Sequence, residues 1–234
     1  MSFKQFKALT FDVVGTLIDF EAGILAHVRK VSGEAGKAHS DDDILKAYRE
    51  ARASSDSGWW PDDLERCYHL MAAKLGLPDS DENAKGLAQS VKDFPAFPDS
   101  VEALKRLRKH FKLVATTNSQ IWALNHMAET LDQPFDVRVT VDDVRFEKPD
   151  PQFFAYTRGV LATQGILFEN ILHVAQSQYH DIGVAMRLGY QTCWIERRFA
   201  QKGTGGTLES ERTEPHYHFT SLAQLADAVE KELG

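Results

Sequence analysis

The chain has 234 residues, enough for one large domain or a core carrying an insertion. Its 43% hydrophobic and 26% charged residues are a globular composition, and no apolar run approaches the roughly 20 residues of a membrane helix. A formal net charge of −7 argues against a general nucleic-acid binder.

The N-terminal MSFKQFKALTFD lacks the long apolar stretch of a signal peptide. Cys67 and Cys193 lie far apart and form no CxxC pair, so a reduced cytoplasmic protein with both thiols in packing roles is expected. The stretch FKALTFDVV then reads as a strand buried on both faces, as in a parallel sheet.

From about Phe20 to Ala96 the pattern is helical. EAGILAHVRKV repeats apolar residues at Ile24, Leu25, Val28 and Val31. SDDDILKAYREA opens with Ser40 as N-cap, and acids in its first turn suit the helix dipole. PDDLERCYHLMAAKLGL is expected to start with Pro61 at its first helical position, and SDENAKGLAQSV is capped by Ser80.

After FPAFPDS the rhythm changes. The helix SVEALKRLRKHF precedes the strand KLVATTNS, and the helix IWALNHMAETL precedes the strand FDVRVTV. Then come the helix DPQFFAYTRGVLATQG, the strand ILHVAQS, the helix HDIGVAMRLG, the strand QTCWIE and a closing helix TSLAQLADAVEKEL, capped by Thr220 or Ser221. Alternation of strands with helices of about 10–15 residues predicts βαβ units and a mainly parallel sheet covered on both faces. The Gly-rich, polar RFAQKGTGGTLESERTEP is expected to be a mobile surface connection without a role of its own. The architecture expected is an α/β core, residues 1–19 and 97–234, with a helical insertion at residues 20–96.

Ligands bind such sheets at the carboxyl ends of the strands. Those ends hold Asp12 with Thr16, Thr117 with Asn118, Lys148 beyond FDVRVTV, and Gln176, Ser177 and Asp181. Each alone is an ordinary turn residue, cap or solvated side chain. In this order, each at a strand end, they form a set.

That set resembles the haloacid dehalogenase superfamily of hydrolases, through FDVVGTLID, TTNS, KPDP and the HD pair before the helix ending at Gly189. The resemblance implies a Rossmann-like three-layer core with an α-helical cap inserted after the first strand. It implies Asp12 as nucleophile, ionised at neutral pH because a free Asp has a pKa of about 3.9. Lys148 would hold that charge. Thr16, Thr117 and Asn118 supply hydrogen-bond donors, and Asp181 pairs with Lys148 or positions water.

Phosphatases of the superfamily carry a second acid where this chain has Val14, and usually another where it has Ser177. Mg²⁺ needs oxygen ligands and negative charge, so no metal or other cofactor is expected. The pattern is similar to the branch that hydrolyses 2-haloacids, where an Asp displaces halide from C2 and water then cleaves the ester. It is also similar to azetidine-2-carboxylate hydrolase in FKQFKALTFD, PAFPD, VEALK and YHD. A Mg²⁺-dependent phosphatase and a non-catalytic binding protein on the same fold are the remaining alternatives.

A small carboxylic acid is therefore the expected partner, with no nucleic acid and no membrane; the family is often dimeric. Its carboxylate calls for a cation in the insertion, Arg49, with Arg52 as rival, and Trp60 and Val14 are expected to line the pocket with Ser177. The branch's usual aromatic at Val14, Ser at Thr117 and Tyr at Phe154 are changed here, and its Ser and Asn lie near Gln176 and Gln178. His173 reads as structural, His180 as a packing or proton-transfer residue, and His216–His218 as strand alternation rather than a metal site.

Overall fold

The computed structural model describes residues 2–234. Six strands form one sheet: β1 (Ala8–Phe11), β2 (Lys112–Thr117), β3 (Val137–Thr140), β4 (Ile171–Ala175), β5 (Gln191–Ile195) and β6 (Tyr217–Phe219). Their order is β3-β2-β1-β4-β5-β6, and all five pairings are parallel. Every residue of β1 and β4 is buried, as continuous apolar strands covered on both faces should be. The chain order reverses at β1, between β2 and β4, and a crevice at the carboxyl edge follows from that reversal.

Of the five helices between β1 and β2, the first four form the expected insertion: α1 (Phe20–Lys37), α2 (Asp41–Arg52), α3 (Leu64–Leu75) and α4 (Asp81–Gln89). Ser40 caps α2 in a reciprocal box with Asp43, and Ser80 caps α4 through the N–H of Asn83. Each such cap contributes about 1 kcal/mol. Pro61 does not begin α3. Residues 61–63 form turns, and the helix starts at Leu64, because both carboxylate oxygens of Asp63 are drawn back to Gly58, Arg52 and Arg66.

The chain enters and leaves this helical segment through paired backbone. Asp19 N–H donates to Pro95 O at 2.8 Å and Phe97 N–H to Leu17 O at 3.0 Å. Farther out, Gln120 N–H donates to Trp60 O at 2.9 Å, tying the segment to the loop after β2. One apolar cluster runs from Leu9 and Phe11 of β1 through Phe20, Trp60 and Phe94 to Leu64 and Leu87. The helices are therefore packed on the sheet layer rather than tethered to it.

The remaining helices are α5 (Ser100–Leu107), α6 (Ile121–Thr130), α7 (Val141–Val144), α8 (Pro151–Ala162), α9 (Gly183–Arg187) and α10 (Leu222–Leu233). Pro151 opens α8 behind Asp150, whose carboxylate accepts from Gln152 N–H, and Ser221 caps α10. A π-turn at Gln178–Ile182 precedes α9 and holds Asp181. Cys67 and Cys193 are buried and unpaired, matching their expected packing roles. No helix among the described residues is long and apolar enough to cross a membrane.

Candidate active site

Asp12 follows β1 directly, its N–H on Val174 O of β4 at 3.1 Å. The chain then turns sharply at Gly15, whose φ of +91° suits a residue without a Cβ. The turn brings Thr16 back, and its hydroxyl donates to Asp12 Oδ2 at 2.6 Å while accepting from Gln176 N–H at 2.8 Å. The opposite oxygen, Oδ1, accepts from Lys148 Nζ at 2.9 Å.

Lys148 is saturated. Its other donors reach Thr116 O at 2.9 Å and Asp181 Oδ1 at 2.6 Å, so all three ammonium protons are bound. Its side chain is 1% exposed. Asn118, expected to bind substrate, grips the Lys148 backbone: Nδ2 donates to Lys148 O at 2.8 Å and Oδ1 accepts from Lys148 N–H at 2.7 Å. The end of β2 thereby fixes the lysine in the loop beyond β3.

Behind Asp181 stands a partner that the sequence reading took as merely structural. His173 Nε2 lies 3.0 Å from Asp181 Oδ1, and its Nδ1 lies 2.9 Å from Thr10 Oγ1. An ionised carboxylate only accepts, so Nε2 carries a proton and donates to Asp181. Thr10 and His173 are register partners across β1 and β4, a pairing invisible until the strand order is known.

The electrostatics follow from this arrangement. Burial raises the Asp12 carboxyl, with Lys148 pulling the other way. Asp181 lies below the ordinary carboxylate value: burial opposes its charge, but Lys148 and His173 outweigh burial. Burial also opposes the Lys148 charge, yet Asp12 and Asp181 together hold the ammonium above its ordinary value.

These residues floor a cavity of about 360 Å³ between the sheet edge and the helical segment, a size common for small-molecule sites. Val14, Thr117, Ser177 and Trp60 line it, as expected, along with Asp12, Asn118, Lys148 and Asp181. Thr16 lies beneath, touching the cavity's chemistry only through Asp12. Thr117 Oγ1 accepts from Ser119 N–H, which orients its hydroxyl, and Ser177 Oγ accepts from His180 N–H at 2.9 Å. His180 lines the cavity with a pKa lowered to about 4 by burial, so its ring is neutral at pH 7.

The structure separates the two arginine candidates. Arg49 turns away to Gly205 O and to Glu209, 3.0 Å distant. Arg52, three residues on along α2, lines the cavity; one guanidinium nitrogen is held by Asp63 and Gly58 O. What captured Arg49 is the β5–β6 loop, and that loop departs from the sequence expectation. Gly206, Thr207 and Leu208 form part of the cavity wall. Gly206 N–H donates to Glu21 Oε1 at 2.8 Å, and Arg198 pairs with the same carboxylate. A Cβ on Gly206 would come within 2.8 Å of the Phe20 ring, so glycine is required for the loop to lie this close. Gln176 lines the cavity from the end of β4, and Glu147 and Tyr48 are among the lining residues the sequence did not single out, Glu147 standing beside the lysine in FEKPDP.

A Mg²⁺ ion would require oxygen ligands in an octahedron. Both oxygens of Asp12 and Oδ1 of Asp181 already accept from Lys148, Thr16 or His173, and Val14 and Ser177 supply no charge. The donor set does not fit the metal, and no group of three or more His, Cys, Asp or Glu side chains among the described residues is arranged to hold one. His216 and His218 go instead to Thr192 and Glu196.

The family model for haloacid dehalogenase-like hydrolases matches residues 6–189. The (S)-2-haloacid dehalogenase 4A of Burkholderia cepacia is 25% identical over 97% of this chain and 96% of its own. The L-2-haloacid dehalogenase of Xanthobacter autotrophicus superposes with a TM-score of 0.75 at 19% identity, covering 96% of this chain and 98% of that one. A second structure of that enzyme has chloropropionic acid covalently bound. The HAD-hydrolase YfnB of Bacillus subtilis, in a structure bound to magnesium, superposes with a TM-score of 0.72 at 16% identity over 96% of this chain and 99% of its own. The fold therefore accommodates magnesium in one relative, and the residues rather than the fold must decide for this chain.

Proposed function

The chain belongs to the haloacid dehalogenase-like hydrolase family, and we propose that it hydrolyses a small 2-substituted carboxylic acid, a 2-haloacid, without a metal. The observation that carries this reading is the Asp12–Lys148–Asp181 cluster, in which the ammonium occupies the space between the two carboxylates while Val14 and Ser177 stand in the acid positions. The name of the Burkholderia cepacia relative supports the substrate class.

In the first step a carboxylate oxygen of Asp12 attacks C2 from the side opposite the halide. The C–O bond forms as the C–halide bond breaks, halide leaves with the electron pair, and C2 inverts. An ionised carboxylate needs no base for this. Lys148 and Thr16 hold the Asp12 side chain in one orientation, so little freedom is lost on reaching the attack geometry. Arg52 is the cation available to the substrate carboxylate, and the helical segment serves as a cap that excludes bulk water.

In the second step water attacks the ester carbonyl of Asp12. Asp181 Oδ2 is buried without a hydrogen-bond partner among the described residues, which makes it the free acceptor for that water's proton. Lys148 steadies the oxyanion that develops on Asp12. The acyl C–O bond then breaks, the departing C2 oxygen takes the proton back from Asp181 to become the hydroxyl of the 2-hydroxy acid, and the Asp12 carboxylate is restored with one oxygen from water as its remaining proton is released.

A single turnover of 2-chloropropionate in ¹⁸O-water tests this sequence. Label in the peptide containing Asp12, formed equally with and without chelator, is the expected result. Label confined to product, or activity that vanishes on chelation and returns with Mg²⁺, would replace it with direct hydrolysis or with phosphatase-type chemistry.

A further inference from the structure

The cavity carries a charge pattern that a plain 2-haloacid does not use. Asp12, Glu147 and Asp181 line it with only Lys148 and Arg52 as cations, one positive charge fewer than the carboxylates. Lys148 is matched by Asp12 and Asp181, and Arg52 is already paired with Asp63, which lies behind it. His180 faces the same space as a neutral ring. A simple monoanion would therefore enter a site that is already negative.

Glu147 has one carboxylate oxygen without a hydrogen bond. Its Oε1 is buried and accepts no hydrogen bond among the described residues. The nearest cation, Arg52 Nη2, lies 3.7 Å away, beyond hydrogen-bond reach. Burial raises the Glu147 carboxyl, with Arg52 and the Trp60 backbone N–H opposing. A buried acceptor in this state gains most from a ligand that brings a donor. Arg52 and Glu147 thus present one cationic and one anionic group side by side at the cavity wall.

We propose that Glu147 is a specificity-determining residue that receives an ammonium group on the substrate while Arg52 receives its carboxylate, so that the preferred substrates are small zwitterionic acids rather than simple monoanions. The inference rests on the site proposed above and names its substrate class. A zwitterion leaves the net charge of the cavity unchanged and gives Glu147 Oε1 its missing donor. A phosphate ester would add negative charge where a carboxylate is already unmatched.

Binding of two isosteric probes tests this without turnover: 3-aminopropionate and butyrate, which differ by an ammonium in place of a methyl. Calorimetry on the full chain at pH 7 is expected to show 3-aminopropionate binding tighter by about tenfold or more, with Glu147→Gln erasing or reversing that preference. The proposal is overturned if butyrate binds the parent protein as well as 3-aminopropionate, if the variant keeps the preference, or if neither probe binds. A parallel single-turnover arm compares 3-amino-2-chloropropionate with 2-chlorobutyrate in ¹⁸O-water. Absence of label in Asp12 with both would overturn the aspartyl-ester chemistry, whereas labelling without a Glu147-dependent preference would overturn only the zwitterion assignment.

Discussion

Replacing Lys148 by Met removes a buried ammonium from between two carboxylates while keeping much of the side-chain volume. The parent lysine has three hydrogen bonds and is 1% exposed, and Asp181 is wholly buried. Breaking a buried pair by deleting one partner costs about 3–5 kcal/mol, because the remaining charge has no compensation. For a chain of this length that corresponds to a fall in Tm of about 6–20 °C. The loss should depend on pH in a defined direction. In the parent, the lowered pKa of Asp181 contributes stability above its unfolded value near 3.9, lost as pH falls through the folded pKa. The raised pKa of Lys148 contributes stability that is fully present below its unfolded value and lost only as pH rises through the folded one. In the variant, Asp12 and Asp181 face each other without the cation, so their pKa values rise, by as much as about 3–5 units for fully buried groups. Its deficit is therefore small near pH 4 and grows as pH rises through those values, reaching its full size by about pH 8. Urea unfolding of parent and variant at pH 5 and pH 8 measures both effects. A deficit below about 1 kcal/mol at pH 8, or one unchanged between the two pH values, would refute the assignment of Lys148 as the main compensating charge.

Thr10→Val removes the hydroxyl that satisfies His173 Nδ1, leaving a buried polar nitrogen unpaired; a loss of about 1–3 kcal/mol in stability is expected. Because His173 holds Asp181, kcat should fall more than KM changes, and a variant as stable and as active as the parent would remove Thr10 from the positioning chain. Arg52→Gln is expected to raise KM for a 2-haloacid by about tenfold or more, the scale of one charged hydrogen bond, whereas Arg49→Gln should change it less than about threefold. Steady-state kinetics on both variants decide this, and the opposite ranking would return the carboxylate role to Arg49.

Asp12 was legible because it closes an apolar strand, and Lys148 and Asp181 because they follow later strands, so the strand–helix alternation placed all three at one sheet edge. The same pattern located the helical segment between β1 and β2, whose Ser40 and Ser80 caps are local signals read within four residues. The neutral residues at the two expected acid positions, Val14 and Ser177, were also visible as residue type. Local patterns of this kind depend on backbone propensity and hydrophobic period, which the chain carries wherever it is folded.

Contacts between distant segments were decided only by the tertiary structure. Nothing adjacent to Thr10 announces His173; the parallel register of β1 and β4 brings them together. Arg49 and Arg52 lie on one helix with the same chemistry, and the side chain that faces the cavity depends on the β5–β6 loop, where Glu209 and Gly205 capture Arg49. That polar, Gly-rich loop resembled a free connection because its fixing partners, Glu21 and Phe20, lie far back in the chain. Sequence alone determined which chemical groups were present and at which strand ends; packing determined which of their charges were matched, and Glu147 Oε1 was left without a hydrogen bond because Arg52 lies just beyond reach.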